Sequence, residues 1–327
     1  MVTLEKRASP SMVSEPGVVH GTELRESRVA DVFAVCDIPD GGDFATGNSA
    51  GLAWDILHRT ATHRIPDVVD LSGCVHLKPY SLACLCGLGA MARVAGTPIR
   101  AIPPVHLECA QHLVRLGIPE FLPGEWERGE ARETNIVAKQ VEWPPSREAE
   151  RIVEVLAPRA ALAAGVFPEM VAGLDEIMRN ALTHSLSPID CIVVGQAFPQ
   201  TEKVEIAVLD LGQTIKNHLV SNPEHAHLRT DQAAILKAME EGVTGTPNGQ
   251  RNRRGEPNSG AGLPFIRQYC EGGGGELTVL SGEAWATFSG GRTPVMGDLR
   301  TRFQGCLVNI RYFTGRNLPP PVVVPIL

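Results

Sequence analysis

The sequence carries no basic excess: 30 Lys and Arg residues stand against 37 Asp and Glu, a formal charge of −7. Broad nucleic-acid surfaces need a cationic excess to neutralise phosphates, so no nucleic-acid partner is expected, although a local basic patch stays open. Among the eight cysteines there is no Cys-x-x-Cys pair, and only Cys84 and Cys86 are close together. Cys36, Cys191 and Cys306 lie in apolar runs, where free cysteine behaves as a small buried hydrophobe. The eight are therefore read as reduced core thiols, not as a disulfide framework or a metal site. Residues 1–24 lack the apolar stretch of a secretory signal, and no segment supplies the ~20 uninterrupted apolar residues of a membrane span. A cytoplasmic protein with no membrane partner is the expectation.

What is present suffices for two domains, since 327 residues exceed the roughly 100–200 typical of one. Residues 1–28 are polar and read as a flexible arm. From 29 to 122 strands and helices alternate over short connections: strands at Asp31–Ile38, Val68–Leu71 and Ile99–Ile102, helices at Ser49–Thr62, Tyr80–Val94 and Leu107–Leu116. Such alternation predicts an α/β unit. Residues 123–145, charged and broken by Pro and Gly, read as a linker. In the second domain, 146–316, helices are expected from Ser146, over Pro168–Ser185, at Asp231–Glu241 and at Leu263–Cys270. Strands are expected at Cys191–Gly195, Val204–Asp210, Glu276–Leu280, Ala284–Phe288 and Cys306–Phe313, before a Pro-rich tail at 317–327.

Three motifs in this second half could carry chemistry. Glu176 and Asn180 sit four apart on a helix, one turn above the other. They suit a proton acceptor and an oxygen ligand for a hard cation, the plainer reading of this segment alone being a solvated helix face. Asp210-Leu-Gly212-Gln-Thr214 ends a strand, where Gly212 can take a positive φ that other residues avoid. Gly260-Ala-Gly262-Leu263 opens a helix, where free N–H groups favour an anion. His218, His225 and His227 read as surface histidines, a zinc pair at 225 and 227 being the alternative. His184 reads as a neighbour of the site.

In this order the motifs, over about 150–314, resemble those of the GHKL ATPase superfamily, and Asn180-Ala-Leu-Thr-His184 is most similar to the anti-sigma serine kinase version. The resemblance implies an α/β sandwich, a mixed sheet with helices on one face, binding ATP and Mg²⁺. By position it makes Glu176 the general base, Asn180 the Mg²⁺ ligand and Asp210 the acceptor for the adenine amino group. Gly212 would shape that pocket, with Thr214 in place of the motif's second glycine. Gly260 and Gly262, followed by Leu263, would line the phosphates. Gly305-Cys306 departs from the usual Gly-Thr, and Arg251, Arg253 and Arg254 would either reach phosphate from a lid or form an exposed run. Within this sequence no phosphoacceptor-histidine helix pair precedes residue 146, so a sensor histidine kinase is not expected.

Residues 31–122 resemble a STAS domain through Val68-Val-Asp-Leu-Ser-Gly73 and Gly96-Thr-Pro-Ile-Arg-Ala-Ile102. The family's phosphoacceptor motif aligns with Lys78-Pro-Tyr-Ser81, which leaves Ser81 one position late and reads as a helix start. The combined expectation is an ATP/Mg²⁺-binding regulatory protein, a serine/threonine-kinase-like or ATPase signalling protein. The alternative is a non-catalytic, nucleotide-gated interaction module. The expected partners are ATP and a regulatory protein, with a homodimer left open.

Overall fold

The computed structural model describes residues 32–34, 65–127, 136–156, 167–247 and 262–313. Three short parallel strands, β1 (Val32–Ala34), β2 (Val68–Asp70) and β3 (Arg100–Ile102), form one sheet in that order. Between β2 and β3 runs α1 (Pro79–Ala95), and β3 is followed by α2 (Leu107–Arg115) and the one-turn α3 (Ile118–Phe121). Proline suits the first turn of α1 because an N–H there has no helical partner. Gly96, in the left-handed region at φ 63°, ends it. From Pro79 to Ala92 the helix is buried without a break, the signature of a helix enclosed on all sides.

The larger sheet takes β4 (Ile136–Val141), β5 (Cys191–Phe198), β6 (Lys203–Asp210), β7 (Gly275–Ser289) and β8 (Val295–Phe313) in the order β4-β5-β6-β8-β7. Its helices are α4 (Ser146–Leu156), α5 (Phe167–His184), α6 (Ile215–Val220), α7 (Asp231–Ala238) and α8 (Gly262–Tyr269). Successive residues of a strand face opposite sides, and the two sides belong to different cores. Val204, Ile206 and Val208 pack with Ile152, Leu174, Ile177 and Ile266 from α4, α5 and α8. Ala207 and Leu209 pack with Tyr80, Leu85 and Leu88 from α1.

The chain is thus mixed α/β, as the sequence predicts. The sheet differs from the expected one in two respects: every described pairing in it is antiparallel, and α1 covers the second face. Apolar residues on both sides of β5 and β6, such as Ile192 beside Val193, require that double cover. Ile136–Val141, within the stretch read as a linker, is an edge strand along the whole of Cys191–Gln196. The two strands expected at 276–280 and 284–288 are one, β7, with register shifts near Gly282. Gly282, at φ 65°, leaves room for the carboxylate of Asp231, which accepts a hydrogen bond from Glu283 N at 3.0 Å. The helix expected at Ser49–Thr62, the arm and the tail lie outside the described residues. No helix among the described residues is long and apolar enough to cross a membrane.

Candidate functional site

The buried stripe of α5, Met170, Leu174, Ile177, Met178 and Ala181, recurs at three- and four-residue spacing against the sheet. That anchoring leaves Asn180 and His184 at the edge of an open cavity. The end of β6 brings Asp210 to the same cavity, with Thr214, Ile215 and His218 from the loop and α6. Val243 and Thr244, the start of α8 (Gly262, Leu263, Pro264) and Cys306 and Val308 of β8 complete the described walls. Eight of the residues singled out in the sequence, Asn180, His184, Asp210, Thr214, His218, Gly262, Leu263 and Cys306, therefore meet at one place.

Asp210 is 4% exposed. Its Oδ1 accepts the Gly212 N–H at 3.0 Å, and the Cys306 N–H also donates to the carboxylate. Burial pushes its pKa up to about 7, opposed by these two N–H donors. The carboxyl thus changes charge near neutrality. Gly212 does not adopt a positive φ. Its glycine requirement is steric: a Cβ there would lie 1.9 Å from the Ser185 carbonyl oxygen. The turn is further pinned by Gln213, whose backbone N–H donates to Ser185 O at 2.5 Å and whose side-chain amide donates to His184 O at 2.6 Å. Thr214, buried, is the N-cap of α6: its hydroxyl accepts from Asn217 N at 3.2 Å. A glycine there would lose that cap.

His184 and His218 pack ring against ring, their centroids 4.5 Å apart and their planes inclined by 31°. Burial first, and then the neighbouring His184, lower the His218 pKa to about 4, so His218 is uncharged at neutral pH. His218 is expected on the surface from the sequence; the six-residue α6 instead turns it into the cavity. The zinc alternative finds no support at 225 and 227. His225 is buried, the His227 ring nitrogen Nδ1 pairs with Glu224 O at 3.1 Å, and no group of three or more His, Cys, Asp or Glu residues suited to a metal occurs among the described residues.

Glu176, on α5 one turn before Asn180, is half-buried and is not among the residues that line the cavity. Its side chain lies against Gly262. Gly260 and the arginines Arg251, Arg253 and Arg254 lie outside the described residues. Ser81, buried in the first turn of α1, is on the far side of the sheet from the cavity. The sequence reading missed Gln213 and the Ser185–Ser187 turn, whose only signal is a serine-rich stretch after a helix.

The arrangement can hold a flat, partly polar group. One wall is apolar (Ile177, Val208, Val308), one carboxyl is ready to meet N–H donors, and Asn180 offers a carboxamide oxygen near the start of α8. Mg²⁺ keeps several waters and takes only one or two protein oxygens besides phosphate, so Asn180 fits that role without a cluster of carboxylates. Compared with known proteins, the chain matches no family model, no curated protein and no solved structure.

Proposed function

We propose that the chain binds ATP with Mg²⁺ in this cavity and works as a regulatory signalling protein of the anti-sigma serine kinase type. In this reading the antiparallel sheet with α4, α5 and α8 is a GHKL-type sandwich, and β1–β3 with α1 and α2 is a STAS-like unit. One observation carries the reading: three stretches far apart in sequence, at 180, 210–214 and 262–263, converge on one cavity. Asp210 accepts the adenine amino group, the first turn of α8 faces the phosphates with its free N–H groups, and Asn180 supplies an oxygen to the metal. Bound Mg²⁺ offsets phosphate charge; Glu176 takes the proton of a Ser/Thr hydroxyl on a partner protein, or of water.

The position of Glu176 favours a second reading. A base must reach the proton that it removes, and Glu176 packs on Gly262 at the cavity's edge. In that reading nucleotide binding alters a protein interface and turnover is slight. Calorimetry of the full chain with ATP, with and without Mg²⁺, tests the shared premise; no heat at millimolar ATP sinks both readings. Turnover of labelled ATP by wild type and Glu176→Ala separates them. Loss of turnover with unchanged ATP affinity supports catalysis, while wild-type binding without turnover supports the gate.

A further inference from the structure

The segment Leu209–Gly212 carries Asp210 into the cavity, and it is packed closely from three directions, at each of which one of the two partners is a glycine. A Cβ on Gly212 would meet Ser185, and a Cβ on Gly305 would lie 2.2 Å from Asp210 O. The third comes from the opposite face of the sheet. A Cβ on Gly87 of α1 would lie 2.6 Å from Leu209 Cδ2 and 3.5 Å from Leu211 Cδ1, the side chains on either side of Asp210. Glycine is the poorest helix former after proline, and position 87 is in the middle of a 17-residue helix. Its presence there matches the closeness of the approach. Leu209 is fully buried in a shared core with Leu85 and Leu88, so its side chain has little room to swing away.

The face of β6 that α1 covers also carries a buried polar row. Gln196, Glu205, Arg311 and Glu276 lie side by side across four strands. Glu205, fully buried, accepts from Asn309 Nδ2 at 3.2 Å and lies 3.5 Å from Arg311 Nε; Arg311 in turn donates to Glu276 at 3.3 Å. Tyr80, in the first turn of α1, is fully buried in the core that it shares with Ala207 and Leu209 of β6.

We infer that Gly87 is a positioning residue of the nucleotide pocket: by letting α1 seat on Leu209 and Leu211, it sets where the Asp210 carboxyl stands. The inference rests on the ATP reading above. It makes the N-terminal segment part of the pocket's machinery, and any event that lifts α1 alters how the base is recognised.

Its test is a cycle of full-length variants titrated with ATP·Mg²⁺ and with the corresponding nucleotide whose purine lacks the 6-amino group. Gly87→Ala crowds Leu209, whereas Leu209→Ala removes the carbon that Gly87 accommodates and leaves slack. Each single change is expected to weaken ATP by roughly tenfold while leaving the amino-free nucleotide nearly unaffected, so the preference for the amino group disappears. The double variant Gly87→Ala/Leu209→Ala, in which the methyl added on α1 fills the slack, is expected to recover the preference. A purely structural role lowers affinity for both nucleotides together, and that result overturns the inference, as does wild-type behaviour in the single variants. If Gly87→Ala fails to fold, Leu209→Ala and the double variant decide alone. Absence of ATP binding by the unaltered chain instead removes the nucleotide reading, and the inference with it.

Discussion

Gly262 opens α8 directly against Glu176: a Cβ at position 262 would lie 1.8 Å from Glu176 Cγ. The two residues belong to separate sequence motifs, one read as a base and one as a phosphate cradle, and the fold makes them a contact pair. Gly262→Ala must displace the Glu176 side chain or the helix start. Overpacking of this kind costs roughly 1–3 kcal/mol. Urea unfolding is expected to show a loss in that range for Gly262→Ala, and a smaller one in Gly262→Ala/Glu176→Ala, where the obstructing side chain is gone. Equal losses in the two variants would mean that the crowding is relieved elsewhere.

Asp210 gives the unliganded protein a pH dependence of defined sign. Its carboxyl has an ordinary value of 3.8 and is raised to about 7 by burial. The folded state holds the proton that the unfolded state has released, so the contribution is fully present below pH ~4 and is lost as pH rises through about 7. Its size is of order 4 kcal/mol at most. Melting temperature should therefore fall over that window in the wild type and fall less in Asp210→Asn. The ligand reverses the trend: a carboxylate accepting from an amino group binds better ionised, so the ATP·Mg²⁺-induced rise in Tm should be larger at pH 8 than at pH 6. A ligand effect that shrinks with pH would show that the neutral acid is the binding form.

His218 acts in the opposite direction. Its pKa is lowered to about 4 by burial and by His184, so between that value and the ordinary 6.5 the unfolded chain binds the proton and the folded chain does not. The stability it contributes is present above pH 6.5 and lost as pH falls through about 4. His218→Asn should flatten the acid limb of a Tm-versus-pH curve. His112 has the same sign, lowered to about 4 mainly by burial, so a residual slope in the single variant is expected and should diminish in His112→Asn/His218→Asn.

Much of this architecture is legible in the sequence because local signals and tertiary demands agree. The periodicity of Val171 to Leu182, within a helix expected over Pro168–Ser185, agrees with the observed α5 to one residue at each end, and the glycines at 212 and 262 mark real close approaches. Other features depend on contacts that no local pattern carries. Ile136–Val141 sits between charged stretches, and only pairing with Cys191–Gln196 makes it a strand. The residues 295–305 contain Gly297 and few apolar side chains, yet β8 extends through them, with Val295–Asp298 paired to Ala284–Thr287 and Phe303 to Gly282. The seating of α1 on the sheet is hidden for the same reason: a helix that is predominantly apolar on every side announces burial without naming its partner.

The buried charges beneath α1 make the last prediction. Glu205 has no exposed surface; Lys203 lies 3.6 Å from its carboxylate and Arg311 3.5 Å away, while Asn309 donates to the second oxygen. Removing one member of a buried pair leaves its partner uncompensated, which typically costs about 3–5 kcal/mol. Glu205→Ala should fall in that range by urea unfolding. Arg311 keeps Glu276, so the loss should lie toward the lower end and should grow when Glu276→Ala is added, by more than Glu276→Ala costs alone. Because Glu205 lies on the face of β6 whose Ala207 and Leu209 pack against α1, Glu205→Ala should also speed amide exchange in Leu82–Cys86, ahead of the rest of the helix. Uniform exchange along α1 would show that the helix is held by its apolar packing alone.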